Sequence, residues 1–450
     1  MKTNGTIDFE RTKVSTLFRR LFFPTLLGML SVSAVTNIDG IFVGHGVGSD
    51  GIAAVNLCIP LLMGLTGVGL MVGAGCSVIS SIYLSKGKGS MARASITQAL
   101  LMVSAVTVAL NVVILLFPER TADLLGASDH LRPMVVDYLL WFMPSLVFEL
   151  WIAVAMFALR LNGAPRLAMW CSVVAAAVNV VFDWLFIFHW HWGVKGAALA
   201  TSVSCLIGAL MAVGYLVLLA GSMRLHPLRV SWRGAVFFFH NIGVQCKIGS
   251  SALLGEATMA VLMFTGNHVF MSQWGDAGVG AFGVSCYYLP FVFMTGNAIA
   301  QSAQPIISYN FGMGNGGRIR EAFRVSLWAA AVCGAVSSAA FMLFPELLVS
   351  LFLNPADDAA VIAIAGFPYY GTAFVFFILN LSVIGYYQSI ESIGRATVLA
   401  LLRGFVFLIP CFILMPRLCS EIGVWLALPA SELLTSAVIA GLYLYRRVKA

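Results

Sequence analysis

Twelve apolar stretches, each long enough to cross a bilayer as a helix, follow one another along the chain. Only short polar or glycine-rich loops such as "SKGKGS" and "FGMGNGG" separate most of them. A hydrocarbon core of about 30 Å needs about 20 apolar residues of helix. The stretches cover about 17–42, 51–83, 94–117, 133–157, 167–188, 195–220, 248–271, 278–307, 322–344, 360–387, 396–416 and 422–445. No stretch is left over for a soluble domain, and 60% hydrophobic with only 10% charged residues is the composition of an integral membrane protein. The expected fold is an all-α polytopic membrane protein. The first stretch carries a small-residue patch, Ser31-Val32-Ser33-Ala34, that a signal peptide would also show. Its recurrence eleven more times argues for a membrane segment instead. The nine cysteines are scattered singly and form no C-x-x-C pair, so they read as reduced residues of the membrane core.

The net charge of +7 invites a nucleic-acid reading, but the positions of the charges exclude it. Of the 26 Lys and Arg, only Arg120, Arg132, Lys195 and Arg417 fall on one set of alternate loops, and Arg403 falls inside a segment. The rest cluster on the side that holds the N-terminal tail. Basic loops stay in the cytoplasm, so both termini of this multi-pass membrane protein are expected there.

The two halves repeat. "GSDGIAAVN" from Gly48 matches "GDAGVGAFG" from Gly275, "FPE" at Phe117 matches "FPE" at Phe344, and "GAALA" at Gly196 matches "GVWLA" at Gly423. All three pairs share an offset of 227 residues. Six segments per half give both halves the same orientation, so the expected architecture is two six-helix lobes related by a pseudo-two-fold axis along the membrane normal. The lobes are expected at 1–220 and 248–450, joined by a cytoplasmic link at 221–247.

Few acids lie inside segments: Asp39, Glu149, Asp183, Glu256 and Glu432, with Asp137 near an end. A carboxylate in mid-membrane costs about 2.5–3.5 kcal/mol on insertion scales, so each needs a reason. Counting from segment ends at about 1.5 Å per residue puts Asp39, Asp183 and Thr201 at one depth, roughly 6–9 Å inside the outer boundary. Asn179 is one turn from Asp183 on the same helix face. One lobe thus gathers two carboxylates, an amide and a hydroxyl. Such hard oxygens suit Na⁺, two neighbouring carboxyls also suit proton carriage, and polar glue between helices is the structural alternative. At the offset of 227, Asp39 maps to Gly266 and Asp183 to Pro410, so the repeat itself does not require the acids. Pro24, in the inner half of the same segment as Asp39, permits either a bend linked to the ion or a static kink. Glu256, in "LLGEATMAV", reads either as a cavity acid that attracts cationic substrates or as a buried neutral acid. "HWHWG" at 189–193 reads as interfacial aromatics rather than a metal site, and no GxxxxGK[ST] loop for ATP is present.

"NIDGIFVGHGVGSDGIAAVN", "GVGLMVGAG", "NVVFDWLF" and "GVKGAALAT" resemble the MATE (multidrug and toxic compound extrusion) family, in its bacterial DinF/MepA-like branch, over the whole chain. The resemblance implies a secondary antiporter that exports cationic amphiphiles in exchange for inward Na⁺ or H⁺. It places a cation site on Asp39, Asn179, Asp183 and Thr201 and a bending proline at Pro24. No cofactor beyond the coupling ion and no metal other than Na⁺ is expected, and the partners are small cationic substrates and the bilayer around a monomer. Segment ten, "GFPYYGTAFVFFILN", lacks the acid that works with segment seven in the NorM-like branch, so coupling is expected to rest on the N-terminal lobe. The alternatives are a flippase for a lipid-linked saccharide, which would want a basic cavity, and a membrane enzyme, for which no nucleophile or metal constellation is evident.

Overall fold

The computed structural model describes residues 8–221, 223–225 and 232–449, and every regular element among them is helical. Helices are the form a bilayer allows, because each satisfies its own backbone polar groups. Nine helices of the described residues are long and apolar enough to span a membrane. One of them, Trp232–Gly312, is broken into two at Gly275, and another, Ile393–Leu444, is broken into two at Cys419 and Ser420. The pair Asp358–Gly371 and Ala373–Ser389, bent by 46°, makes one more span. Counting each break as a boundary gives twelve, numbered here from the N-terminus: span one is Val14–Gly46, span two Ser49–Ser85, span three Gly89–Leu116, span four Arg132–Leu161, span five Pro165–His189 and span six Val194–Leu218. Spans seven and eight are the two parts of Trp232–Gly312, span nine is Gly316–Leu343, span ten the bent pair, and spans eleven and twelve the two parts of 393–449.

The offset of 227 residues reappears in the backbone. Left-handed residues end the matching turns: Gly48 (φ 94°) and Gly275 (φ 62°), Gly87 (φ 72°) and Gly314 (φ 73°), Gly193 (φ 59°) and Ser420 (φ 53°). The last pair is informative, because Ser420 holds a conformation that only glycine adopts without strain. Phe117 and Phe344 share nearly the same φ and ψ, and each opens a short helix, Pro118–Leu124 and Pro345–Ser350. Span four is interrupted by a 3₁₀ turn at Met143–Ser145, and its counterpart, span ten, bends at Thr372. Carbonyls beside both kinks are covered by a serine from a neighbouring helix: Ser202 Oγ donates to Trp141 O at 2.8 Å, and Ser338 Oγ to Gly371 O at 2.6 Å. Neighbouring side chains commonly repair such breaks inside a membrane.

By packing the chain divides into two compact units. One comprises residues 1–253 and 304–319, the other residues 254–303 and 320–450. The first unit therefore includes the first turns of span seven and the last turns of span eight, besides spans one to six. The stretch read from sequence as a link, 221–247, is helical from Trp232 onward, while residues 222 and 226–231 lie outside the described residues. The sequence reading placed the start of span seven at 248, after a stretch taken as a link for its Arg224, Arg229, Arg233 and Lys247; the structure continues the helix back to Trp232 and buries Asn241 and Gln245.

Candidate functional site

Span one carries Asp39, span five carries Asn179 and Asp183, and span six carries Thr201. Small residues bring these helices together, as they commonly do in membranes. A Cβ on Gly28 of span one would stand 3.3 Å from the Met169 backbone of span five, and one on Gly46 would collide with Ile187. Gly208 of span six lies against Ala175 of span five, where a Cβ would approach to 3.3 Å.

The four side chains meet. Asp183 is fully buried and Asn179 is 2% exposed. With its amide oriented to satisfy both ends, Asn179 Nδ2 donates to Asp183 Oδ2 at 3.1 Å and Oδ1 accepts from the Thr201 hydroxyl at 3.3 Å. The same hydroxyl lies 3.1 Å from the Ala197 carbonyl, so one proton has two acceptors. Asp39 and Asp183 are within hydrogen-bonding reach of each other. Two carboxyl groups hold such a contact only with a proton on one of them or a cation beside both. Each also keeps a buried Oδ1 that no donor among the described residues satisfies. A set of buried oxygens short of donors fits a proton or a small hard cation, which here would be cargo rather than a resident cofactor. Directly after Asp183 the helix widens into a π turn over Trp184–His189, a feature frequent at functional sites.

The other residues singled out in the sequence are placed as follows. Pro24 lies within span one, which runs through it as a continuous helix. Glu256 is buried at 6% exposure and belongs to the other packing unit. Glu149 of span four accepts a hydrogen bond from the Thr66 hydroxyl at 2.8 Å. In the "HWHWG" stretch, Trp190 and Trp192 pack on each other and on Phe186, with ring centroids 4.8–5.2 Å apart.

Two features escaped the sequence reading. Tyr138, buried in span four, lies within electrostatic range of Asp39, Glu149 and Asp183. In the second unit, Arg403 and Glu432 form an ion pair at 2.7 Å, each side chain 2% exposed. Asn380 Nδ2 donates to Glu432 Oε2 at 2.7 Å, Ser436 Oγ donates to Asn380 Oδ1 at 2.8 Å, and the guanidinium lies 4.1 Å from the Phe377 ring centroid. Arg403 too sits in a π turn, Leu402–Val406. The signal available in the sequence was one basic and one acidic residue in consecutive membrane segments, each needing a partner.

Twelve spans in two copies, with an oxygen-rich site buried in one of them, define a polytopic transporter. Comparison narrows the class. The MatE family model matches twice, at residues 24–185 and 252–413, once in each copy. The chain belongs to this family, the MATE transporters, and is not an enzyme. It is 26% identical over 460 aligned residues to the multidrug export protein MepA of Staphylococcus aureus, covering 99% of this chain and 97% of that one. It is 24% identical to a FAD transporter of Shewanella oneidensis, covering 94% and 93%. An outward-facing structure of a multidrug resistance MATE transporter superposes with a TM-score of 0.89 at 20% identity, over 100% of this chain and 99% of that one. A MOP superfamily transporter from Pyrococcus furiosus gives the same score and identity.

Proposed function

We propose that this transporter exports cationic amphiphilic compounds in exchange for inward Na⁺ or H⁺, by alternating access, with Asp39 and Asp183 as the coupling carboxyls. Asn179 and Thr201 complete the ion's oxygen shell, and Pro24 lets span one respond to the ion. The observation that carries the reading is a pair of neighbouring carboxyls, Asp183 buried and Asp39 half-buried, each with a buried oxygen lacking a donor and neither with a cation partner among the described residues. The similarity to MepA supports the choice of exported compounds. The basic loops support a cytoplasmic N-terminus in a bacterial inner membrane, and the chain is read as working alone. Arg403 does not revive the lipid-flippase alternative, because Glu432 neutralises it.

The test compares wild type and Asp39→Asn, expressed at equal levels in a bacterium stripped of its own pumps, following ethidium efflux with and without Na⁺ at fixed pH. Wild-type efflux that the substitution abolishes supports the reading, and its Na⁺ dependence names the ion. Equal efflux by both overturns the coupling role. The similarity to a FAD transporter favours a second reading, an anionic dinucleotide as cargo; flavin in the medium without ethidium efflux selects it.

A further inference from the structure

The first packing unit contains a belt of polar and close-packed contacts on the face that carries the basic loops. From span seven, Asn241 Nδ2 donates to Ser95 Oγ at 3.0 Å and to Gln98 Oε1 at 2.6 Å, and Gln245 Nε2 donates to the Ser95 carbonyl at 3.2 Å. A Cβ on Gly75 would collide with the Gln245 carbonyl, and one on Gly249 with the Met71 carbonyl. From span eight, Gln304 Nε2 donates to the Ala74 carbonyl at 3.1 Å, and Ser81 Oγ donates to the Pro305 carbonyl at 3.3 Å. A Cβ on Gly312 would meet the Ser85 side chain. Span two is thus gripped by both helices, backbone against backbone. Any opening towards this face has to separate these surfaces.

A short segment is fastened across the end of the belt. Residues 8–12 form a turn of their own, in which Asp8 Oδ1 accepts the backbone N–H groups of Glu10 at 2.9 Å and Arg11 at 3.0 Å. Arg318 Nη2 then donates to two carbonyls of that turn, Phe9 at 3.0 Å and Thr12 at 2.6 Å. Asn310 Nδ2 reaches the Phe9 carbonyl at 3.4 Å, and the Phe9 ring, 6% exposed, packs on Tyr309 at 5.7 Å. Charge-assisted hydrogen bonds are stronger than neutral ones, and the buried ring adds apolar contact. Each contact runs from residues 8–12 to the far end of span eight or the start of span nine, the same chain ends that hold the belt.

We infer that residues 8–12 are a strap, latched by Arg318, that keeps this belt shut, and that the face opens only when the strap leaves. The assignment of the face as cytoplasmic rests on the proposed orientation; the latch itself does not.

Two native cysteines report on the belt. Cys76 follows Gly75 and is 2% exposed, and Cys246 follows Gln245. Exposed Cys419, in the turn between spans eleven and twelve, marks the opposite face. The experiment treats inverted and right-side-out vesicles with a membrane-impermeant maleimide and measures alkylation of each cysteine by peptide mass spectrometry. Arg318→Ala, and independently Phe9→Ala, should raise Cys76 labelling severalfold in inverted vesicles. Arg320→Ala, an exposed charge-matched control, should not. Cys76 labelling unchanged in both strap variants overturns the latch. A rise confined to right-side-out vesicles, with Cys419 labelled from the other face, upholds the latch and overturns the orientation. Thermal melting of each variant separates release from unfolding: a rise in Cys76 labelling counts for the latch only where the melting midpoint matches wild type, and a rise seen only in variants that melt early overturns it.

Discussion

The two copies bury polar clusters of opposite character. In the first, Asp39, Asn179, Asp183 and Thr201 present oxygens with no protein cation among them. In the second, Glu432 is closed by its own cation, Arg403, and by Asn380, which Ser436 holds in turn. Neither cluster has a counterpart. At the offset of 227, the first maps to Gly266, Val406, Pro410 and Leu428, and the second to Ala153, Ala176, Cys205 and Ala209. The backbone turns of the two copies match while these side chains do not. The duplication therefore supplied a helical frame, and each copy filled it with different chemistry. A cluster that contains its counter-ion is neutral by itself, although one Arg403 nitrogen, Nη2, stays buried without an acceptor among the described residues. One without a counter-ion is complete only with an ion or proton from outside.

That contrast can be broken by substitution. The largest expected effect is on Arg403→Met, which strands a buried Glu432. Removing one partner of a buried pair costs about 3–5 kcal/mol. The melting midpoint in detergent should fall sharply, and Arg403→Met with Glu432→Leu should recover most of it. If the double variant is as unstable as the single, the pair is not what holds spans eleven and twelve. Asp39→Asn should do the reverse, leaving the midpoint near wild type while abolishing coupled efflux. A loss of stability on the scale of the Arg403 variant would make the first cluster structural, like the second.

Smaller effects sharpen the comparison. Asn179→Ala removes one amide from the ion's shell, worth about 1 kcal/mol or about fivefold. The coupling-ion concentration for half-maximal efflux should rise by that factor with the maximal rate retained; a fall in maximal rate alone would move Asn179 from binding to the conformational step. Ser436→Ala takes one hydrogen bond from Asn380 and should lower stability by about 0.5–1.5 kcal/mol without touching efflux. An effect on efflux would show that the closed cluster takes part in the cycle.

Much of the fold and of the candidate site is legible in the amino-acid sequence. Apolar length set the spans, except that basic residues read as a link hid the first turns of span seven, where the fold buries Asn241 and Gln245. The internal matches at Gly48, Phe117 and Gly196 recur as paired turns and paired short helices. Depth counting brought Asp39, Asp183 and Thr201 to one level because rise per residue is constant in a helix. Depth counting does not say which faces of two helices meet. Arg403 and Glu432 are 29 residues apart, and Arg403 lies in a π turn that no hydropathy pattern signals.

The sequence by itself determined that the chain lies in a membrane, how many times it crosses, that it is duplicated, and which copy carries an unpaired acid cluster. These follow from local quantities: apolar length, loop charge and residue spacing. Only the tertiary structure decided which polar groups find partners and which are left open, and that the first turns of span seven and the last turns of span eight pack with the first copy. Those outcomes rest on contacts between helices far apart in the chain. There, a missing Cβ at Gly75 or Gly249, or one extra residue in a turn, decides whether two surfaces touch.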